Sequence, residues 1–168
     1  MNPSTQLAVL KDILHSLSRQ KINKLIIING HGGNDFKQIL RELQPMFPKM
    51  FLCTINWWQV IPADDFFGEP TDHAGKMETS CMLAIAPSLV HICDAGTGKI
   101  HNFTIEGLRK RWAWAQREWR KASEDTGMGN PLPASPETGK KYLAHIISEI
   151  GNFIFELAKI PTNKLYET

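Results

Sequence analysis

The feature that most constrains this chain is the run Leu25-Ile26-Ile27-Ile28-Asn29-Gly30-His31-Gly32-Gly33-Asn34. An aliphatic, mostly β-branched segment stops abruptly at a histidine framed by three glycines and two asparagines. Such a run reads as a buried strand of a parallel sheet. The glycine-rich residues after it read as a tight turn into a helix, with Asn34 placed to cap it. Ligands of open α/β sheets sit beyond the carboxyl ends of strands, where His31 falls. The glycines admit positive φ and let backbone approach a ligand closely. From these residues alone three uses stay open: a connection in which His31 caps or packs, a phosphate-binding turn at a helix N-terminus, or a turn that offers His31 to a metal. The spacing fits neither the Walker pattern nor GxGxxG.

The surrounding sequence alternates helix and strand signals. Ser4 is placed to cap a helix over 4–20, with Leu7, Leu10, Ile13, Leu14 and Leu17 on one face. A strand is predicted over 24–29, a helix over 34–46 closed by Pro48, and a second strand over 51–56. Residues 57–72 form a loop with two prolines, a glycine and four acidic residues, and a loop of that length is usually functional. Beyond it the pattern predicts a helix over 73–86, a short third strand over 89–93, a turn over 94–99, a helix over 107–122 and a loop over 126–136. The last element is an amphipathic helix over 137–159, using Tyr142, Leu143, Ile146, Ile147, Ile150, Ile154 and Leu157. This order implies an α/β fold with parallel strands and right-handed crossovers. At 168 residues, a single domain over 1–168 is expected.

Composition narrows the function classes. An apolar content of 42% supports a packed core and excludes a disordered chain. The net charge is only +2, and the one mixed basic segment, 109–121, interleaves Trp112, Trp114 and Trp119. It reads as a solvated helix with some buried tryptophan rather than a base-stacking surface, so no nucleic-acid partner is expected. Cys53, Cys81 and Cys93 lie far apart in apolar runs and read as buried hydrophobes of a reducing compartment. Without a CxxC pair, neither a zinc knuckle nor a redox motif is indicated. The first ten residues lack the basic and apolar regions of a signal peptide. No apolar run approaches the roughly 20 residues of a membrane span. A cytoplasmic protein without a membrane partner is expected.

The second chemically loaded segment is Asp72-His73-Ala74-Gly75-Lys76-Met77-Glu78-Thr79-Ser80. On an ideal helix, residues five apart are about 140° apart, so His73 and Glu78 would not share a face. They converge if His73 sits in a turn before the helix. A solvated helix start, with acid at the favourable end of the dipole, accounts for the same residues. Imidazole and carboxylate together also suit zinc or manganese.

Together, Asn29-Gly30-His31-Gly32-Gly33-Asn34 and His73-Ala74-Gly75, with Glu78-Thr79-Ser80 two residues on, resemble the creatininase family of creatinine amidohydrolases. Thr126-Gly127-Met128-Gly129-Asn130-Pro131, leading into Glu137-Thr138-Gly139-Lys140, is similar to the family's late loop and final helix. The resemblance covers nearly all of the chain. It implies a three-layer α/β/α sandwich with a mainly parallel sheet. It also implies a hydrolase that cleaves a non-peptide C–N bond of a small-molecule amide, cyclic or linear, with metal-activated water. The family uses a two-metal centre of zinc or manganese and forms homo-oligomers, typically hexamers. By the same resemblance His31 is a metal ligand, Glu78 a metal-site and catalytic residue, and His73 a catalytic residue that shuttles a proton. Gly32, Gly33, Asn34, Trp57, Trp58 and Asp72 form the substrate-facing set, with core packing the alternative for the tryptophans.

Two departures accompany the resemblance. Lys76 stands where many members have glutamate. The family's amino-terminal E-x-H…D motif, which supplies further metal ligands, has no counterpart before Ser4. The chain therefore resembles the carboxyl-terminal two-thirds of the family, with one edge of the 24–29 strand expected to be exposed. Three possibilities remain: an amidohydrolase whose remaining ligands come from elsewhere, a catalytically incomplete remnant with a structural or assembly role, or an anion-binding α/β module.

Overall fold

A computed structural model describes residues 1–68 and 72–167. The end of the acidic loop, 69–71, lies outside the described residues. The chain divides into two compact units, Met1–Val60 with Ser148–Thr168, and Ile61–Ile147.

The first unit opens with α1, Pro3–Arg19. Its N-cap is Asn2 without a side-chain cap bond, so Ser4 lies inside the helix rather than capping it; Pro3 at the first helical position fixes the start instead. Next come β1, Lys24–Asn29, α2, Phe36–Leu43, and β2, Phe51–Asn56. The two strands pair in parallel with Lys24 opposite Phe51 and Asn29 opposite Asn56. Among the described residues the sheet has these two strands. Leu14, Ile39, Leu40, Leu43, Phe47, Met50 and Leu52 form the core between helices and sheet. Full burial of a leucine such as Leu14 or Leu43 contributes about 1.5–3 kcal/mol. β1 is less buried than its composition suggests, with Ile28 54% exposed, and Ile13 of α1 is exposed too. Gln44 ties the end of α2 to β2: its amide donates to Phe47 O and Met50 O and its carbonyl accepts Leu52 N–H.

The second unit begins with two short helices, α3, Asp64–Phe67, and α4, Lys76–Ile85. The predicted third strand does not form: Pro87–Leu89 and Ile92–Asp94 are single 3-10 turns, and Leu89 is exposed. The predicted 107–122 helix survives only as α5, Glu106–Arg109, and α6, Trp119–Ala122. Arg111, at φ 64°, breaks the stretch, and the Trp112 indole folds back onto Gly107, where a Cβ would meet it at 2.6 Å. Trp112 and Trp114 are 77% and 83% exposed, so the tryptophan burial expected there falls to half-buried Trp119. Cys93 is exposed as well, whereas Cys81 is buried.

The final helix, α7, Pro136–Lys159, matches its predicted span to one residue, and the unit boundary falls within it. Tyr142, Ile146 and Leu157 are its buried apolar positions, while Ile147 and Ile154 are exposed. In the first unit, Lys24 Nζ donates to the carbonyls of Leu157, Ala158 (3.3 Å) and Ile160 (2.6 Å), placing a cation at the negative end of α7. No helix of the described residues is long and apolar enough to cross a membrane.

Candidate functional site

In the first unit the site residues gather where β1 and β2 end side by side. Asn29 is buried at that point. Its Oδ1 accepts the backbone N–H of His31 at 3.2 Å and Nδ2 of Asn34 at 3.2 Å. Its Nδ2 donates to Asn34 O at 3.2 Å and to Asn56 Oδ1 at 2.9 Å. Asn34 N–H donates to His31 O at 3.1 Å, which closes the turn. Asn34 is thereby spent on the turn, and its Oδ1 accepts from Gln6. It does not cap α2, whose N-cap is Asp35.

His31 itself is exposed, and its Nδ1 accepts the Gly33 N–H at 2.9 Å. Trp57 Nε1 donates to Gly30 O at 3.3 Å, and Trp58 stands edge-on to Trp57 with centroids 6.4 Å apart. A Cβ on Gly32 would lie 3.7 Å from the Trp58 indole. Trp57 and Trp58 thus lie against the same glycine turn that carries His31, Gly32, Gly33 and Asn34.

The second unit assembles Asp72, His73 and Glu78. His73 sits in the turn ahead of α4, next to Ala74, whose backbone Glu78 reaches. Ala74 adopts φ 53°, its N–H donates to Glu78 Oε2 at 2.7 Å, and its carbonyl accepts Thr79 Oγ1 at 3.2 Å. The late loop packs on the same turn. Met128 N–H donates to His73 O at 2.7 Å, and a Cβ on Gly129 would lie 3.4 Å from Gly75 Cα. Ser80, fully buried, accepts the Ser135 N–H at 3.0 Å just ahead of α7. The serine of the Glu78-Thr79-Ser80 triplet therefore holds α7 in place. Lys76 donates to Phe67 O at 2.8 Å at the end of α3. Burial, with a lesser contribution from the Glu78 carboxylate, pushes the Cys81 thiol up to about 11.

The sequence did not mark Arg117 and Trp119 as site residues. The Arg117 guanidinium grips Asp72 through both arms, at 3.3 and 3.0 Å, and Trp119 meets the His73 ring at 4.9 Å. Only the position of Trp119 in an aromatic, basic segment pointed to it. Trp119 also lines an open cavity of about 390 Å³ with His101, Ser123 and Glu124.

His31 and Glu78 are a donor pair of the kinds zinc and manganese accept, but they lie in different units. Among the described residues, no group of three or more His, Cys, Asp and Glu side chains is placed to hold a metal ion. The described residues alone therefore do not build a two-metal centre.

A sequence profile of the creatininase family, described as creatinine amidohydrolase, matches residues 1–154. The creatinine amidohydrolase of Pseudomonas putida is 29% identical over 108 residues, a stretch covering 55% of this chain and 42% of that protein. A crystal structure from Bacteroides fragilis, provisionally assigned as a creatinine amidohydrolase, is 38% identical. It superposes with a TM-score of 0.92 over 99% of this chain and 65% of its own. Creatininase in a manganese form, and variants of it in a zinc–zinc form and in complex with creatine, give a TM-score of 0.71 at 21% identity. They cover 95% of this chain and 66% of theirs, and at that identity the likeness concerns the fold. The chain thus spans less than half of the Pseudomonas protein and about two-thirds of these structures.

Proposed function

The chain belongs to the creatininase family, and from that membership we propose that it hydrolyses a non-peptide C–N bond of a small-molecule amide, cyclic or linear. The observation that carries the proposal is the family match across both histidine turns, residues 1–154. The zinc and manganese forms of the related creatininase support a metal requirement. On the family resemblance, His31 and Glu78 would each serve as a metal ligand. Such an ion, once bound, supplies a water that ionises near neutral pH. The described residues do not complete the cage, so the further ligands would come from beyond them, in additional chain or in a second subunit of a homo-oligomer.

His73 would carry the proton to the departing nitrogen, a role that requires it within about 3 Å of that atom. Trp57 and Trp58 would wall the substrate, with Gly32, Gly33 and Asn34 offering close backbone and amide groups. The Asp72 carboxylate is taken by two arginines and a backbone N–H, which suits holding the turn better than binding substrate.

Metal analysis after dialysis against zinc or manganese, together with hydrolysis of creatinine and of simple N-formyl amides, tests the proposal. Metal content that falls in His31→Ala and in Glu78→Gln is expected. Unchanged metal stoichiometry in His31→Ala, or no amide cleavage by metal-loaded protein, would overturn it.

A further inference from the structure

His73 belongs to a closed circuit of contacts that no short motif contains. Its backbone N–H donates to Asp72 Oδ1 at 2.8 Å. Asp72 takes both arms of Arg117, Nη1 on Oδ1 at 3.3 Å and Nη2 on Oδ2 at 3.0 Å. The Arg117 guanidinium lies over the Trp119 ring, 5.0 Å from its centroid. Trp119 then meets the His73 imidazole, with centroids 4.9 Å apart and ring planes at 60°.

Each link constrains orientation as well as distance. A two-armed arginine–carboxylate pair fixes the plane of the guanidinium. A guanidinium over an indole fixes the face it presents, and an edge-on aromatic pair fixes the tilt between rings. Arg117 and Asp72 are 33% and 24% exposed, so the pair is partly shielded from solvent. Arg111 also reaches Asp72, but with one arm at 3.3 Å and at 81% exposure, so it adds little.

We propose that Trp119 is a positioning residue for His73, with Arg117 and Asp72 holding Trp119 against the imidazole. The proposal rests on His73 being the proton-carrying group of the hydrolysis described above. A histidine on a turn can rotate about two side-chain torsions, whereas proton transfer needs one geometry. Trp119 acts through the histidine, so its loss should lower kcat while leaving KM nearly unchanged.

The test compares wild type with Trp119→Ala, Trp119→Phe and Trp114→Ala, the last at an exposed tryptophan outside the circuit. Diethyl pyrocarbonate is the probe, with carbethoxylation of His73 followed by peptide mass spectrometry. Protection of buried Cys81 from maleimide reports that the second unit stays folded. In Trp119→Ala, His73 should react about fivefold faster, the scale set by loss of an aromatic pair, and Trp119→Phe should restore most of the wild-type rate. Trp114→Ala should match wild type. Where wild type hydrolyses creatinine or an N-formyl amide, Trp119→Ala should lose about tenfold or more in kcat with KM within about threefold.

Equal His73 reactivity in wild type and Trp119→Ala, with Cys81 protected, overturns the proposal, as does an unchanged kcat. If Trp119→Ala exposes Cys81, Arg117→Lys decides instead: it keeps the charge and breaks the two-armed grip, and an unchanged His73 rate there is equally fatal. Absence of hydrolysis by wild type overturns the proposed activity alone, because the labelling result does not depend on turnover.

Discussion

Glu78 accepts the backbone N–H of Ala74 at 2.7 Å, and Ala74 is held in left-handed backbone at φ 53°. An alanine in that region costs about 1–2 kcal/mol. Strain of this kind persists where the surroundings over-determine it, and it concentrates at functional sites. Here both polar groups of the strained residue are met from the first turns of α4, by Glu78 and by Thr79. The glutamate and threonine thus shape the turn that presents His73, whatever else the carboxylate does. A carboxylate has two oxygens, and the turn uses one of them.

Glu78→Gln and Glu78→Ala should therefore part company. Glutamine retains an acceptor for the Ala74 N–H and should unfold within about 1 kcal/mol of wild type. Alanine leaves a strained residue without that bond and should cost about 1–3 kcal/mol. Metal content should fall in both. Chemical denaturation alongside metal analysis separates the two roles, and equal stability of the two variants would show that the turn does not depend on Glu78.

The two strands are legible in sequence because an aliphatic run bounded by breakers leaves little choice, and β1 and β2 occupy the residues expected. The long 3.6-residue period of α7 is equally direct. Residues 89–93 mislead because an apolar run reports burial tendency and not the presence of a neighbour strand; here they form 3-10 turns around His91. Residues 107–122 mislead because helix-compatible composition does not reveal the positive φ of Arg111. At the site, both histidine turns announce themselves through local glycine. The grip of Arg117 on Asp72 spans 45 residues of chain, and no local period encodes it. The asparagine side chains were likewise visible, but their partners were not: Asn34 serves Asn29 and Gln6 rather than α2.

The contact between α4 and α7 admits no side chain at Gly139. A Cβ there would lie 2.0 Å from Ser80 O and 2.8 Å from Cys81 N, both backbone atoms that cannot swing aside. Gly139→Ala should destabilise by about 1–3 kcal/mol or more, the range for overpacking. Gly151, in the same helix, has open space where its Cβ would be. Gly151→Ala should instead stabilise by about 0.5–1 kcal/mol through helix propensity. Urea midpoints for the pair check this; a Gly139→Ala variant as stable as wild type would mean that the two helices do not pack this closely.

Alkaline pH should expose the protonated core of the second unit. Burial, aided by Glu78, pushes the Cys81 thiol from 9.0 to about 11. Burial, aided by the neighbouring Cys81, pushes the Tyr142 hydroxyl from 10.0 to about 12, and that hydroxyl donates to Ile61 O at 3.1 Å. Both groups have folded values above their unfolded ones, so the folded state keeps protons that the unfolded state releases. Stability tied to them is fully present below pH 9 and falls as pH rises from about 9 to 12, since its slope follows the difference in bound protons. Cys81→Ala should flatten the first part of that fall and Tyr142→Phe the second. Melting temperatures measured in steps from pH 8 upward decide it. If Cys81→Ala and wild type lose stability in parallel between pH 9 and 11, the thiol is not held neutral by burial.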